Sequence, residues 1–254
     1  MFVSTSPQLP EEEAGKVLRL SWKVLHCRNL GHDFGSYKDG IRQIGSVDLV
    51  DSLILMNDSC YGPLLDLDCL EQLAKSGDPD IWGITDSLSR KYHLQSYFLW
   101  IGRRALHCPA FHRFWATLLP YQPRSLVIRL DEVRFTQNLV RHGIVTQALC
   151  PYHAVANRAL QLILRRLASD AGQLLSSEKD YLEQLGNAIS KGIPLNPMHS
   201  FWDVLLAEFA CPFIKRNLLG RNPARIRGLI DWAALLQKHT DYDIDLIYRH
   251  LKVG

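Results

Sequence analysis

The sequence predicts an α/β protein: a mostly parallel sheet flanked by helices over residues 1–150, followed by an α-helical C-terminal region over 151–254. Three observations predict it. Short apolar runs alternate with amphipathic segments through the first part, the rhythm of βαβ units. From His153 to Ile189 the apolar positions, among them Leu160, Ile163, Leu164 and Leu167, fall at helix spacing. Between these, the apolar run Ser52–Met56 stops at three polar residues, Asn57, Asp58 and Ser59, before Gly62-Pro63 turns the chain.

Each element has a local reason. Residues 1–5 read as a strand, and 10–20 as a helix opened by Pro10 with Glu11, Glu12 and Glu13 in its first turn, where acids suit the helix dipole. Residues 22–27 read as a second strand, followed by a turn at Asn29-Leu30-Gly31 and a helix over 36–44. Ser52–Met56 is short, partly β-branched and bounded by polar residues, so it reads as a buried strand. A helix over 67–75, strands over 80–85 and 97–101, and a helix over 109–118 complete the first part. In the second part Asn196-Pro197 interrupts the helical pattern, 200–209 resumes it, Pro212 interrupts again, and Asn222-Pro223 opens another helix.

The bulk numbers describe an ordinary globular chain. It has 254 residues, 47% hydrophobic and 22% charged, enough for one large domain or a domain with an appendage. A formal net charge of +3 gives no reason to expect nucleic acid as a partner. Arg216, Arg221, Arg225 and Arg227 cluster late in the chain and suit either a solvated helix face or an anionic surface. The six cysteines are scattered without a C-x-x-C pair, which fits neither a zinc site nor a disulfide framework and points to reduced thiols in the cytoplasm. The N-terminus lacks the pattern of a secretory signal, and no apolar run reaches the ~20 residues of a membrane span. The expectation is a soluble protein, at most peripheral to a membrane.

Four clusters carry the chemistry. In "NLGHDFGSYKDG" (29–40), glycines flank Asp33 just before a helix, where backbone N–H groups can approach a diphosphate. Asn57-Asp58-Ser59 ends one strand, and strand carboxyl ends are where open α/β sheets bind ligands. "DIWGITDS" (80–87) ends another in Thr85, Asp86 and Ser87, and "YHLQSYFLW" (92–100) sets His93 and Gln95 before a third. Each admits a plain alternative: an Asx turn, a helix cap, a satisfied core histidine.

Taken in order, these stretches resemble the rhamnan synthesis protein F family of bacterial polysaccharide glycosyltransferases. "LILMNDSCYGPL", "FHRFW", "DEVRFTQNLVRHG", "LNPMHSFWDVL" and "CPFIKRNLLGRNP" belong to the same resemblance, which runs from Met1 to the C-terminus. It implies a GT-A-like fold and transfer of a sugar, rhamnose from dTDP-rhamnose, to a polysaccharide or lipid-linked glycan of rhamnan or O-antigen type. Met1 falls where that fold places its second strand, so a first βα unit of about 30–40 residues is expected to be missing.

The resemblance also implies roles. Asp33, Asn57, Asp58, Ser59, His93 and Gln95 would contact the donor, with Asp58 the contact to Mg²⁺ or Mn²⁺ that balances the departing diphosphate. GT-A enzymes often carry a D-x-D-like motif there, and this chain supplies one carboxylate. Glu132, beside Asp131 at the start of a helix, would be the base that takes the acceptor proton, with Asp86 as the other candidate. An acid favoured by the helix dipole accounts equally for Glu132. Trp202 and Lys215 would meet the acceptor, although such a tryptophan also serves as core. The expected setting is the cytoplasm, or the cytoplasmic face of the inner membrane beside other glycosyltransferases. The alternative reading is a non-catalytic glycan-binding or scaffold subunit.

Overall fold

The computed structural model describes residues 1–66, 68, 70, 79–119, 131–169 and 174–253. The chain forms two compact units, each assembled from separate stretches: 1–55, 79–81 and 99–146 make the first, and 56–78, 82–98 and 147–254 the second.

The chain opens with β1 (Phe2–Ser4), α1 (Glu11–Leu18), β2 (Val24–His26) and α2 (His32–Ile44). The helix reads in part from Pro10, which fixes φ ahead of three glutamates. Strands β1 and β2 pair in parallel with Phe2 opposite Val24, so this βαβ reading holds. Helix α2 starts a turn earlier than expected, because Gly31 adopts a left-handed φ of 82° at its N-cap. Its buried face is Phe34, Gly35, Tyr37 and Lys38, the spacing of one helix stripe.

β3 (Ser52–Met56), β4 (Cys60–Tyr61), β5 (Ile81–Ser87), β6 (His93–Leu94) and β7 (Phe98–Gly102) follow. The helix expected over 67–75 lies outside the described residues apart from Asp68 and Leu70, which are helical. Next come α3 (Arg103–Leu106), α4 (Pro109–Thr117), α5 (Val133–Arg141) and β8 (Thr146–Cys150). The larger sheet has the order β3-β7-β5-β6, with β8 also on β5.

That sheet corrects the predicted fold class. It is antiparallel and curled within a mixed α/β architecture, and no mostly parallel GT-A-like sheet is present among the described residues. The reason is in the connections. A parallel return needs a crossover of about a dozen residues or more, usually a helix. Only residues 88–92 separate β5 from β6, and 95–97 separate β6 from β7. The chain therefore doubles back, pairing Asp86 with Leu94 and Ser87 with His93 in antiparallel register.

The first unit is held by an aromatic core. Phe34 stacks on Trp115 with centroids 5.8 Å apart, and meets Phe114 and Phe135 edge-on. Phe111 joins through Trp115 and Phe135. Burying each such ring contributes about 1.5–3 kcal/mol, and the edge-to-face pairs add to this. Lys38 reaches through the core edge to donate to the Leu118 carbonyl at 2.7 Å, just past the last turn of α4. A cation there complements the carbonyl end of the helix.

The second unit is mostly helical: α6 (Tyr152–Ser169), α7 (Ser176–Ser190), α8 (Pro197–Ser200), α9 (Trp202–Phe209), β9 (Ile214–Lys215), α10 (Arg216–Leu219), α11 (Trp232–His239) and α12 (Ile244–Val253). Gly186 brings α7 against Ile163 and Leu160 of α6. A second core gathers Leu64, Trp202, Leu206, Ile214, Leu218, Ile226, Leu236 and Ile247. The helix expected from Asn222-Pro223 does not begin there. The Asn222 side chain both donates to and accepts from the Ile226 backbone, closing a loop at a φ of 42°, and the helix starts at Trp232. Cys27, Cys60, Cys108, Cys150 and Cys211 are free thiols, as expected from their spacing.

Candidate functional site

The second unit concentrates most of the sequence-predicted residues. β3 ends at Met56, and the Asn57 amide donates to the Tyr97 carbonyl at 3.2 Å. Asn57 Oδ1 then accepts from both the Ser59 amide (3.0 Å) and the Ser59 hydroxyl (2.6 Å), an Asx turn that fixes the strand end. The next two residues, β4, pair antiparallel with β9, setting Cys60 opposite Lys215 and Tyr61 opposite Ile214. Gly62, at a φ of 140°, permits this approach, since a side chain there would collide with the Pro212 carbonyl.

That pairing brings two cations to the strand end. Lys215 Nζ donates to Ser59 Oγ at 2.8 Å and stands 4.5 Å from the centroid of the Tyr97 ring. Arg216 Nη1 donates to the Asp58 carbonyl (2.7 Å) and to Asp58 Oδ2 (2.6 Å). Its Nη2 meets His250 Nε2 at 3.2 Å, and His250 Nδ1 lies 2.8 Å from the Tyr61 hydroxyl. Asp58 is held as an ion pair while its side chain stays 91% exposed. Burial pushes the Cys60 thiol up, against the opposing pull of Lys215.

A buried polar line runs beneath this end. Thr85 Oγ1 donates to Gln95 Oε1 (2.7 Å) and lies 2.9 Å from the Tyr97 hydroxyl. That hydroxyl also contacts Met198 Sδ at 3.2 Å, and burial drives it well above the ordinary phenol range. His93 is buried, with Nδ1 2.8 Å from the Lys91 carbonyl. Gln95 and His93 are thus engaged in the sheet itself.

Asp86 is within β5, one residue from its end, rather than beyond it. Its Oδ1 accepts the Tyr152 amide at 2.6 Å, so it sits at the N-terminus of α6. Burial raises its pKa, opposed by that hydrogen bond and by His153 and His93 nearby. Trp202 is a member of the second core. It also lines a cavity of about 730 Å³ with Tyr181, Leu182, Asp203, Arg166 and Arg227. His199 Nε2 donates to Asn217 Oδ1 at 3.0 Å, and burial lowers its pKa.

The first unit holds the remaining candidates. Asp33 is the second residue of α2, in the turn where an acid suits the dipole. Gly35 packs directly on the Leu30 carbonyl, which explains the second glycine of that motif. Glu132 immediately precedes α5 in helical conformation and makes no side-chain cap. Its neighbour Asp131 is 3% exposed, and burial pushes its carboxyl up to about 6, with Arg134 pulling down and Glu132 pushing up. The sequence reading sets Asp131 beside Glu132 with no role of its own and makes Asp86 the other candidate; the apolar face of the helix that follows is the available signal for its burial.

The fit to a divalent metal is poor. Among the described residues Asp58 is the single carboxylate at the strand end, and one of its oxygens is taken by Arg216. Among the described residues no group of three or more histidines, cysteines or acids could hold a metal ion. No helix among them is long and apolar enough to cross a membrane.

A mixed α/β scaffold with a polar, cation-bearing strand end is the class that fold and site define. The family model of rhamnan synthesis protein F matches residues 1–160, and the chain belongs to that family. It is 23% identical over 255 residues to an uncharacterized protein, y4gN, of Sinorhizobium fredii, covering 91% of this chain and 66% of that protein. It is 26% identical over 200 residues to virulence protein VirA of Vibrio anguillarum, covering 77% of this chain and 61% of VirA. The chain thus spans a little under two thirds of the length of these relatives. No solved structure matches it significantly.

Proposed function

We propose that this protein is a glycosyltransferase of polysaccharide assembly, moving rhamnose from dTDP-rhamnose onto a polysaccharide or lipid-linked glycan of rhamnan or O-antigen type. The observation that carries the reading is the strand end, where Asn57, Asp58 and Ser59 meet Lys215 and Arg216 in a chain of the rhamnan synthesis family. Breaking a bond to a nucleoside diphosphate builds negative charge on the leaving group, and fixed cations aimed at that charge lower the barrier. The acceptor hydroxyl loses a proton as it attacks, and Glu132, with Asp131 beside it, supplies the carboxylate for that step. Asp33 is a further candidate for contact with the nucleotide and Trp202 for contact with the acceptor on this reading. On this reading the protein works in the cytoplasm, peripheral to the inner membrane, beside other glycosyltransferases. The relative named as a virulence protein is in keeping with a cell-surface product.

One observation favours the second reading, a non-catalytic glycan-binding or scaffold subunit. Asp58 and Asp86 each spend an oxygen on a protein partner, Arg216 and the Tyr152 amide. Calorimetry with dTDP, UDP and GDP, with and without Mg²⁺ or Mn²⁺, separates the two, followed by transfer of labelled rhamnose from dTDP-rhamnose to a glycan acceptor. Binding of a nucleotide and appearance of labelled glycan are expected. A folded protein that binds none of the three nucleotides leaves the scaffold reading standing.

A further inference from the structure

Two neighbouring cations at the strand end have different charge environments. Arg216 is balanced by Asp58 through two short contacts from one nitrogen. Lys215 has no such partner: among the described residues no carboxylate lies within ion-pair distance of its Nζ. Its contacts among the described residues are the Ser59 hydroxyl oxygen, the Cys60 thiol and the Tyr97 ring, all neutral. The direction of the hydrogen bonds is fixed. Ser59 Oγ–H is spent on Asn57 Oδ1, so the lone pair of Ser59 Oγ faces Lys215 and accepts one of its three N–H donors. The Tyr97 ring, in contact with the ammonium at 4.5 Å, holds it in place without neutralising it. A half-buried ammonium positioned from two sides and left without a counter-ion is costly until an anion completes it.

We infer that Lys215, set by Ser59 and Tyr97, is the counter-charge for a diphosphate, and that this protein binds the diphosphate of its ligand without a divalent cation. The inference rests on the sugar-transfer reading for the identity of the rest of the ligand. The strand end suits a diphosphate because it offers the free donors of Lys215 beside the guanidinium of Arg216, and lysine binds phosphate oxygens as a point charge. The metal that would otherwise do this work has no built ligand set here, since Asp58 already serves Arg216. Lys215 thereby moves from acceptor contact to donor contact.

The test is calorimetric titration of the whole chain in EDTA with inorganic pyrophosphate, inorganic phosphate, dTDP, UDP and GDP, with circular dichroism as the check on folding. Pyrophosphate is expected to bind in EDTA, more tightly than phosphate, and to weaken as salt rises because the attraction is between charges. Lys215→Gln should weaken it about tenfold or more, whereas Lys215→Arg, which keeps the charge, should stay within about threefold. Ser59→Ala, a milder change that loosens Lys215, should fall between them. Added Mg²⁺ should not strengthen binding, since it only competes with the lysine for the diphosphate oxygens. A requirement for Mg²⁺, or wild-type affinity in both Lys215→Gln and Ser59→Ala, overturns the inference. The two readings fail separately. If nucleotides bind Lys215→Gln as they bind wild type, the lysine site is wrong and sugar transfer stands. If pyrophosphate binding depends on Lys215 but no nucleotide binds more tightly than pyrophosphate, the lysine site stands and the sugar-nucleotide reading falls.

Discussion

The backbone amide of Tyr152 donates to Asp86 Oδ1 at 2.6 Å, so a buried strand carboxylate closes the first turn of an 18-residue helix. Helices leave their first N–H groups unpaired, and an acid in that position satisfies one while favouring the dipole. Asp86→Ala is expected to cost about 1–2 kcal/mol in a urea titration. Asp86→Asn, which keeps the acceptor oxygen, should cost less. Undiminished sugar transfer by Asp86→Asn assigns the residue to the cap alone; a lost activity with intact stability would return it to the chemistry.

Asp131 makes a prediction about pH. Its carboxyl is raised to about 6 by burial, above the unfolded value of about 3.9. The fold therefore prefers the protonated form. That contribution to stability is complete below about pH 4 and is lost as pH rises through about 6. Asp131→Asn should accordingly be the more stable protein at pH 7.5, by about 1–3 kcal/mol, and the gap should close by pH 4. Paired thermal denaturations at the two pH values read this directly, and a gap that grows on acidification contradicts the assignment.

Glu132→Gln is expected to abolish transfer while leaving fold and nucleotide binding intact, because it removes a proton acceptor and little volume. Single-turnover transfer assays beside calorimetry separate these effects. Near-normal turnover would remove Glu132 as the base and direct attention to its buried neighbour.

Gly35→Ala should be strongly destabilising. A Cβ at this position would overlap the Leu30 carbonyl oxygen, a backbone atom that cannot swing aside. The expected loss is about 1–3 kcal/mol or more, read as a lowered Tm. Gly15→Ala, in a helix where the added methyl meets nothing, is the control and should be neutral or slightly stabilising.

The sequence made some of this architecture legible and hid the rest for identifiable reasons. The bounds of Ser52–Met56 were readable to the residue, because polar residues flank its apolar run, but the strand is not buried as expected: only Leu55 is, while Ile54 and Met56 are exposed. The parallel β1–β2 pair was readable because a helix opened by Pro10 and three glutamates lies between its strands. Strand direction in the larger sheet was hidden, since side chains alternate with the same period in either direction; the missing helix between β5 and β7 was the overlooked clue. β6 was hidden by its length of two residues, and β8 by a sequence, TQALC, with weak alternation. The strand-end cluster was half legible. Its polar residues are consecutive, but Arg216 lies 158 positions from Asp58, and no local pattern announces such a partner.

The way the backbone is shared between the two units has a practical consequence. It passes from one to the other five times, at 55/56, 78/79, 81/82, 98/99 and 146/147. A single cut therefore releases neither as an intact fragment, and a truncation ending near residue 150 removes the helices of the second unit while stranding its two short inserts. Separating them for study calls for rejoining the stretches 1–55 and 99–146 through a designed linker, with 79–81 replaced, rather than for a shorter gene.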